Sequence, residues 1–569
     1  MRKSVKVVMV LMLIALIGFF AYHYIIDMLP NFEQANIEEI LPKYQKGRIS
    51  VIVEDRNIET DYSPEFVDEV LYLPVNLINE YIDPYYYWDE KEVTLTYTTK
   101  NKVIRMKNDD LTYFVNNEPL QLDMPIKTFK TDMAYVPVDF IMQFSHIQSE
   151  YNKDLNILTI DYVDNKYQTS NVAKEKAYIR IDTSEKSKVV EKLSTNDQLR
   201  VYEQIPDGWV KVRSKSGLIG YMKRNDLGAI KDIYPNLEKL QEEPEYNNNK
   251  NVEGLINIAW DNIGHIDANN YIKDRLEGVK GLDVISPTWF SIKNSEGDIS
   301  NIGSNEYVKY VKSQGYQVWA LFKNEFNKKI THDVLSSTEK REKVIKQILA
   351  LASIYNLDGI NIDFENVAKE DGVYFVQFIR EITPYLKEQG LVVSVDTYVP
   401  SAWTAHYNRT EIGKVVDYVI IMAYDEHWST SEESGSVASI GFVENGLLDT
   451  LKEVQKEKVI LGLPYYTRLW REEETDGIVN VTSKAYSMDR ARKKMDDNDV
   501  ELVWNDDVKQ YYGDYKEDNI VYKMWLEDER SIEEKVKLAI DNEIAGVSGW
   551  TIGLAKDKVW DVLVDYLKK

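Results

Sequence analysis

From Gly254 to the C-terminus the chain repeats one pattern eight times. Short, nearly continuous apolar runs alternate with amphipathic stretches. The runs are GLINIAW, LDVISPTW, YQVWALF, DGINIDF, LVVSVDTY, VDYVIIMAY, KVILGLPYY and AGVSGWTI. A strand buried on both faces reads as such a run, because parallel sheets are covered on both sides by helices. Stretches such as EKVIKQILALASIYN and DGVYFVQFIREITPYLKEQ supply the helices. Eight β-then-α units predict an α/β fold, a closed (β/α)₈ TIM barrel over 254–569. An open doubly wound sheet is the alternative, but no GxGxxG follows the first run. The interval between the seventh and eighth runs, about 470–526, exceeds one helix and predicts a small α+β insertion.

A chain of 569 residues is too long for one domain, so further units precede the barrel. Residues 7–26, VVMVLMLIALIGFFAYHYII, hold no ionised group and match the length that spans a bilayer. Arg2, Lys3 and Lys6 come before them, which places a short N-terminus in the cytoplasm and the bulk of the chain outside. Residues 1–30 are therefore expected to be a cytoplasmic stub and transmembrane anchor. A cleaved signal peptide, giving a secreted form, is the alternative; its apolar core is usually shorter and a small-x-small site follows it.

Residues 45–163 contain an internal repeat: Tyr72, Pro74 and Trp88 correspond to Tyr135, Pro137 and Tyr151 at one constant offset. Each copy reads as strand, helix after a Pro-Val pair, then strand, an α+β repeat domain. Residues 174–228 read as short strands and turns, a small β-barrel, with Asp207-Gly208 turning into Trp209. Residues 229–253, with KLQEEPEYNNNKN at their centre, read as a linker. The net charge of −25 argues against nucleic acid or anionic lipid surfaces as partners and leaves a neutral polysaccharide open. Cysteine is absent and the six histidines are scattered, so neither a disulfide nor a metal site is expected. No cofactor is expected either.

Run four ends Asp358-Gly359-Ile360-Asn361-Ile362-Asp363-Phe364-Glu365. Side chains alternate along a strand, so Asn361, Asp363 and Glu365 share one face and Ile360, Ile362 and Phe364 the other. That places two carboxylates and an amide inside the barrel, at the end where such barrels carry their chemistry. Stability alone would favour Val or Leu there, since buried charge must be paired or neutralised. A satisfied structural carboxylate cluster is the plain alternative.

These residues carry a resemblance. DGINIDFE resembles the DGxDxDxE signature of glycoside hydrolase family 18, the chitinases and their relatives. Met422-Ala423-Tyr424-Asp425, Gly462-Leu463-Pro464-Tyr465 and Trp550 extend it across 254–569, and DGINIDFEN, MAYDEHW, GSVAS and LPYYTRLW are most similar to bacterial spore-cortex and cell-wall N-acetylglucosaminidases. The repeat domain resembles the N-terminal domain of copper amine oxidases, which does not carry that enzyme's copper, and 174–228 resembles the bacterial SH3-like domain, either a passive spacer or a wall-binding module.

The family resemblance implies a glycosidase that cleaves beside N-acetylglucosamine by substrate-assisted retaining catalysis. Glu365 would be the acid and then the base, Asp363 would hold the 2-acetamido N–H, and Tyr424 would donate to the acetamido carbonyl. Asn361, Asp425, Trp550, Tyr465 and Trp289 would line the substrate site, with Trp403, Trp428 and Trp470 also near strand ends. Like charge at Asp363 and partial burial are expected to raise the Glu365 pKa. The sequence departs from the family at two places: Asn361 replaces the middle Asp, and the SxGG expected on run three is missing, with Trp319 to Asn324 in its place. Two other readings are a catalytically weak carbohydrate-binding barrel, whose members usually lack the terminal glutamate, and a membrane-tethered scaffold.

Overall fold

The computed structural model describes residues 2–129, 131–163, 166–234, 246, 254–475 and 477–568. Most of the expected linker, 229–253, lies outside the described residues. The described chain divides into two units. One holds the barrel together with Lys91–Arg105 and Tyr113–Leu120, and the other holds the remainder up to Glu242.

All eight runs form strands: β1 Ile256–Asp261, β2 Val284–Pro287, β3 Gln317–Lys323, β4 Gly359–Asp363, β5 Val392–Tyr398, β6 Tyr418–Met422, β7 Val459–Pro464 and β8 Gly546–Trp550. Each pairs in parallel with its neighbours, β8 returns to β1 and β2 meets β3, so the sheet closes into the barrel expected. The amphipathic stretches become covering helices, among them Thr338–Ile354 and Gly372–Glu388.

The period of two sorts the strand residues into two cores. Ile256, Ile258, Trp260, Val284, Trp319, Leu321, Val392, Ile420 and Ile460 fill the lumen. Ala259, Ile285, Phe322, Ile360, Ile362, Phe364, Val395 and Ile421 pack outward among the helices. Gly359 shows why the lumen tolerates no side chain at the start of β4: a Cβ there would sit 2.8 Å from the Trp319 indole. The lower lumen is thus filled largely by apolar side chains.

The insertion spans Tyr466–Leu526. Strands Tyr466–Thr475, Ile478–Ser487, Val503–Asn505, Gln510–Glu517 and Ile520–Leu526 form an antiparallel sheet with helix Met488–Asp496. Leu469, Ala491, Met495, Met524 and Leu526 form its own small core.

In the other unit the two repeats meet as antiparallel strands, Val70–Pro74 and Tyr135–Pro137, with Leu73 opposite Val136. Helices Val75–Tyr81 and Val138–Phe144 follow each Pro-Val pair. Strands between Tyr167 and Ile233 form a seven-stranded antiparallel sheet. The N-terminal helix Arg2–Met28 contains the apolar span Val5–Tyr24, of mean hydropathy 2.5 and with no part of it buried.

Candidate active site

The upper lumen is built on β4. Asn361, only 1% exposed, uses its whole amide: its carbonyl accepts from Trp260 Nε1 (2.9 Å) and Ser286 Oγ (3.1 Å), and its nitrogen donates to Ser394 Oγ (3.0 Å) and Asp396 Oδ1 (2.7 Å). One turn of the pleat higher, Asp363 is 9% exposed and its Oδ1 has no hydrogen-bond partner among the described residues. Burial drives its carboxyl well above the usual range, the charge of Asp396 adds to this, and Lys323 opposes it.

Glu365 follows the strand and is partly buried. Its backbone is clamped by one side chain: Asn324 Nδ2 donates to the Glu365 carbonyl (2.8 Å) and Glu365 N–H donates to Asn324 Oδ1 (3.0 Å). Asn324, from the segment that replaces the SxGG motif, therefore holds the acid's main chain. The Tyr398 hydroxyl accepts from the Asn366 N–H at 3.3 Å and donates to the Glu365 carboxylate. Burial pushes the Glu365 carboxyl up to about 8, with Asp363 and then Asp425 adding to the rise while Tyr398 and Lys323 counter it. Loss of water is thus the first cause and like charge the second, the reverse of the emphasis expected from sequence.

Tyr424 lies over the lumen with its ring 6.4 Å from that of Trp260, and Trp550 lies 5.9 Å from the same indole. Asp425, in the left-handed region at φ 56°, accepts from Tyr466 Oη (2.5 Å) and meets Arg468 (3.5 Å). Six of the eight residues expected at the site therefore gather at one end of the barrel. Trp289 and Tyr465 do not. Trp289 is buried on the helix side, where Nε1 donates to Asn269 and the ring packs against Tyr307 and Tyr355. Tyr465 is wholly buried beside Trp560 and fills the hollow left by Gly549. Trp470 is buried as well, donating to the Gly435 carbonyl. Trp403 and Trp428 are 67% and 53% exposed, and Trp403 packs on Tyr398.

Comparison with known proteins bears on the barrel segment and on the repeat domain separately. Residues 299–555 match the glycosyl hydrolases family 18 model, which takes in β3 to β8 and every residue of the carboxylate cluster. The chain carries a glycoside hydrolase family 18 domain. Residues 52–160 match the copper amine oxidase N-terminal domain, on the repeat described above. Among curated relatives, the uncharacterised glycosylase YvbX of Bacillus subtilis is 27% identical over 50% of this chain and 84% of its own length. The cortical fragment-lytic enzyme of Bacillus anthracis is 26% identical over 42% of this chain and 56% of its own. Among solved structures, the Bacillus cereus spore cortex-lytic enzyme SleL has a TM-score of 0.51 at 22% identity, covering 59% of this chain and 77% of that one. A chitinase from Chromobacterium violaceum has a TM-score of 0.50 at 20% identity, covering 55% and 99%. The family 18 domain is a glycosidase domain, and β1 and β2, which lie before the matched segment, complete its barrel.

The raised carboxyl of Glu365 has two measurable consequences. If activity needs its proton, kcat/KM should fall as pH rises through about 8. Stability carries the same sign. The folded protein keeps a proton that an unfolded Glu releases near its ordinary 4.5, so stability present below 4.5 is lost as pH climbs toward about 8. Melting curves of Glu365→Gln should be nearly coincident with wild type at pH 4 and lie above them at pH 8. Curves that stay parallel across this range would contradict the raised value.

Proposed function

We propose that the chain is a membrane-anchored glycosidase of the bacterial envelope that cleaves β-1,4 bonds next to N-acetylglucosamine with retention. The observation that carries this reading is Glu365, a carboxyl kept protonated near neutrality beside the more deeply buried Asp363. Glu365 protonates the glycosidic oxygen and later deprotonates the attacking water. The 2-acetamido oxygen of the substrate attacks C1, so no protein carboxylate is needed as nucleophile. Asp363 accepts the acetamido N–H and offsets the positive charge that develops. Tyr424 donates to the acetamido carbonyl, with Asp425 beside it, while Trp550 offers a face for the sugar and Asn361 braces the layer beneath.

The relatives described as cortical fragment-lytic enzymes favour peptidoglycan over chitin as the glycan. The unburied apolar span Val5–Tyr24 supports an anchor that leaves the domains outside the membrane. We further infer that residues 174–228, which lie within the seven-stranded sheet between Tyr167 and Ile233, serve as an SH3-like module, either a passive spacer or a contact to the wall.

Membranes from cells expressing the intact chain should retain it through a high-salt wash. They should also release reducing ends from purified peptidoglycan, and more slowly from chitin oligomers. Protein recovered from the medium with an N-terminus near residue 28 would replace the anchor with a cleaved signal. Membranes that retain the chain but release no reducing ends from either glycan would remove the catalytic reading.

A further inference from the structure

Asn361 stands where the family signature carries its middle carboxylate, yet that layer of the lumen still contains an acid. Asp396 comes from β5, the strand beside β4, and is 1% exposed. Its Oδ1 accepts from Asn361 Nδ2 at 2.7 Å. Asn361 and Asp363 face the same way two residues apart, so the amide that holds Asp396 lies directly below Asp363.

The orientation of that amide follows from its neighbours. The Trp260 indole can only donate, so it takes the amide oxygen, and the nitrogen is left to point at Asp396. An aspartate at 361 would set a second anion against Asp396. The amide removes that repulsion and keeps the contact. Asp363 meanwhile has a buried Oδ1 with no partner among the described residues.

We propose that Asp396 is the proton-sharing partner of Asp363, supplied by β5 in place of the position on β4 that Asn361 occupies. This rests on the reading of Glu365 and Asp363 as the catalytic pair. Asp363 and Asp396 together hold one proton and a net charge of −1. When substrate enters, Asp363 turns to accept the acetamido N–H and the shared proton passes to Asp396. It returns after water has opened the oxazolinium ion. No bond to carbon changes in either transfer, and the proton count is the same before and after.

The surrounding groups fit this division. Asp363 faces Asp396 from β5, Lys323 from β3 and Glu365 from the segment just after β4, with Tyr407 and Tyr424 close enough to sense its charge. Asp396 faces Asn361 from β4, Trp260 from β1, Glu365 and Tyr424. Burial is the first cause that raises both carboxyls well above the usual range. Among the described residues Lys323 is the cation that lowers Asp363 and Glu365, and it also pairs with Glu325 at 3.3 Å, so two adjacent anions would have little to offset them.

Asp396 is a positioning residue, since it acts through Asp363. In the full chain, Asp396→Asn keeps an acceptor for Asn361 and removes the shared proton. We expect kcat to fall at least about ten-fold, KM for chitin oligomers to change less than about three-fold, and the acidic limb of kcat/KM to move down by about one pH unit. Asn361→Asp added to Asp396→Asn moves the carboxyl back to β4 and should restore kcat to within about three-fold of wild type. Wild-type kcat with an unmoved acidic limb in Asp396→Asn overturns the proposal. So does a loss of kcat that leaves the limb in place and is not rescued by the swap, because that is the signature of packing alone.

A second readout does not need turnover. In the Glu365→Gln background, infrared difference spectra should show the carbonyl stretch of one protonated buried carboxyl at neutral pH, titrating to lower pH once Asp396→Asn is added. A titration unchanged by Asp396→Asn also overturns the proposal. If the wild type cleaves no N-acetylglucosamine glycan, the functional reading fails, and this spectrum still decides whether the two carboxyls share a proton.

Discussion

Glu365→Gln is expected to lower turnover on N-acetylglucosamine oligomers by about 10²–10⁴-fold while oligomer binding stays within a few-fold of wild type. The substitution is mild in shape. The clamp from Asn324 grips only the main chain of residue 365, so the side-chain change leaves the loop in place. An amide accepts from Tyr398 as a carboxylate does. What disappears is the proton that the buried site holds up to about pH 8 and that the leaving oxygen requires. Binding should survive because Trp550, Tyr424 and Asp363 are untouched. Single-turnover assays alongside equilibrium titration with a chitin oligomer separate the two quantities. Turnover close to wild type would remove Glu365 from the mechanism.

The second large effect concerns the substrate. If the acetamido oxygen attacks C1, oligomers without that carbonyl should bind and remain intact. N-deacetylated glucosamine oligomers and glucose oligomers should therefore show no cleavage above background, whereas a thiazoline analogue of the oxazolinium ion should inhibit strongly. Asp363→Ala should cost about 10²–10³-fold in kcat, because it removes the group that orients the attacking amide and offsets its charge. Tyr424→Phe should cost less, since one hydrogen bond is lost and the acid remains. Cleavage of a fully deacetylated oligomer would instead call for a protein nucleophile, and Asp425, held by Tyr466 and Arg468, would be the first to test.

The barrel was legible because its signal is periodic. All eight apolar runs became strands, and the alternation along β4 put Asn361 and Asp363 on one face, with Asn361 bonded across the lumen to Trp260, while Glu365 follows the strand and is held by Asn324. The same rule applied to LVVSVDTY would have put Ser394, Asp396 and Tyr398 on one face, but without a signature motif nothing marked that face as the inner one. Asn324 and Trp260 were harder to see, because their work is hydrogen bonding across strands, and strand neighbours are set by closure of the sheet. Trp289 and Tyr465 misled for a related reason. A residue just beyond a strand end has left the alternation, and local packing against Asn269 or Gly549 decides which way it turns.

The apolar filling below the carboxylates has a further effect on how the site meets solvent. Trp319 beneath Gly359, with Ile256, Val284, Leu321 and Ile460 around it, closes the lumen from below. Apart from the Trp319 indole, these five side chains carry no group that could relay a proton, so the floor itself is not a proton route to Asp363, Asp396 or Glu365.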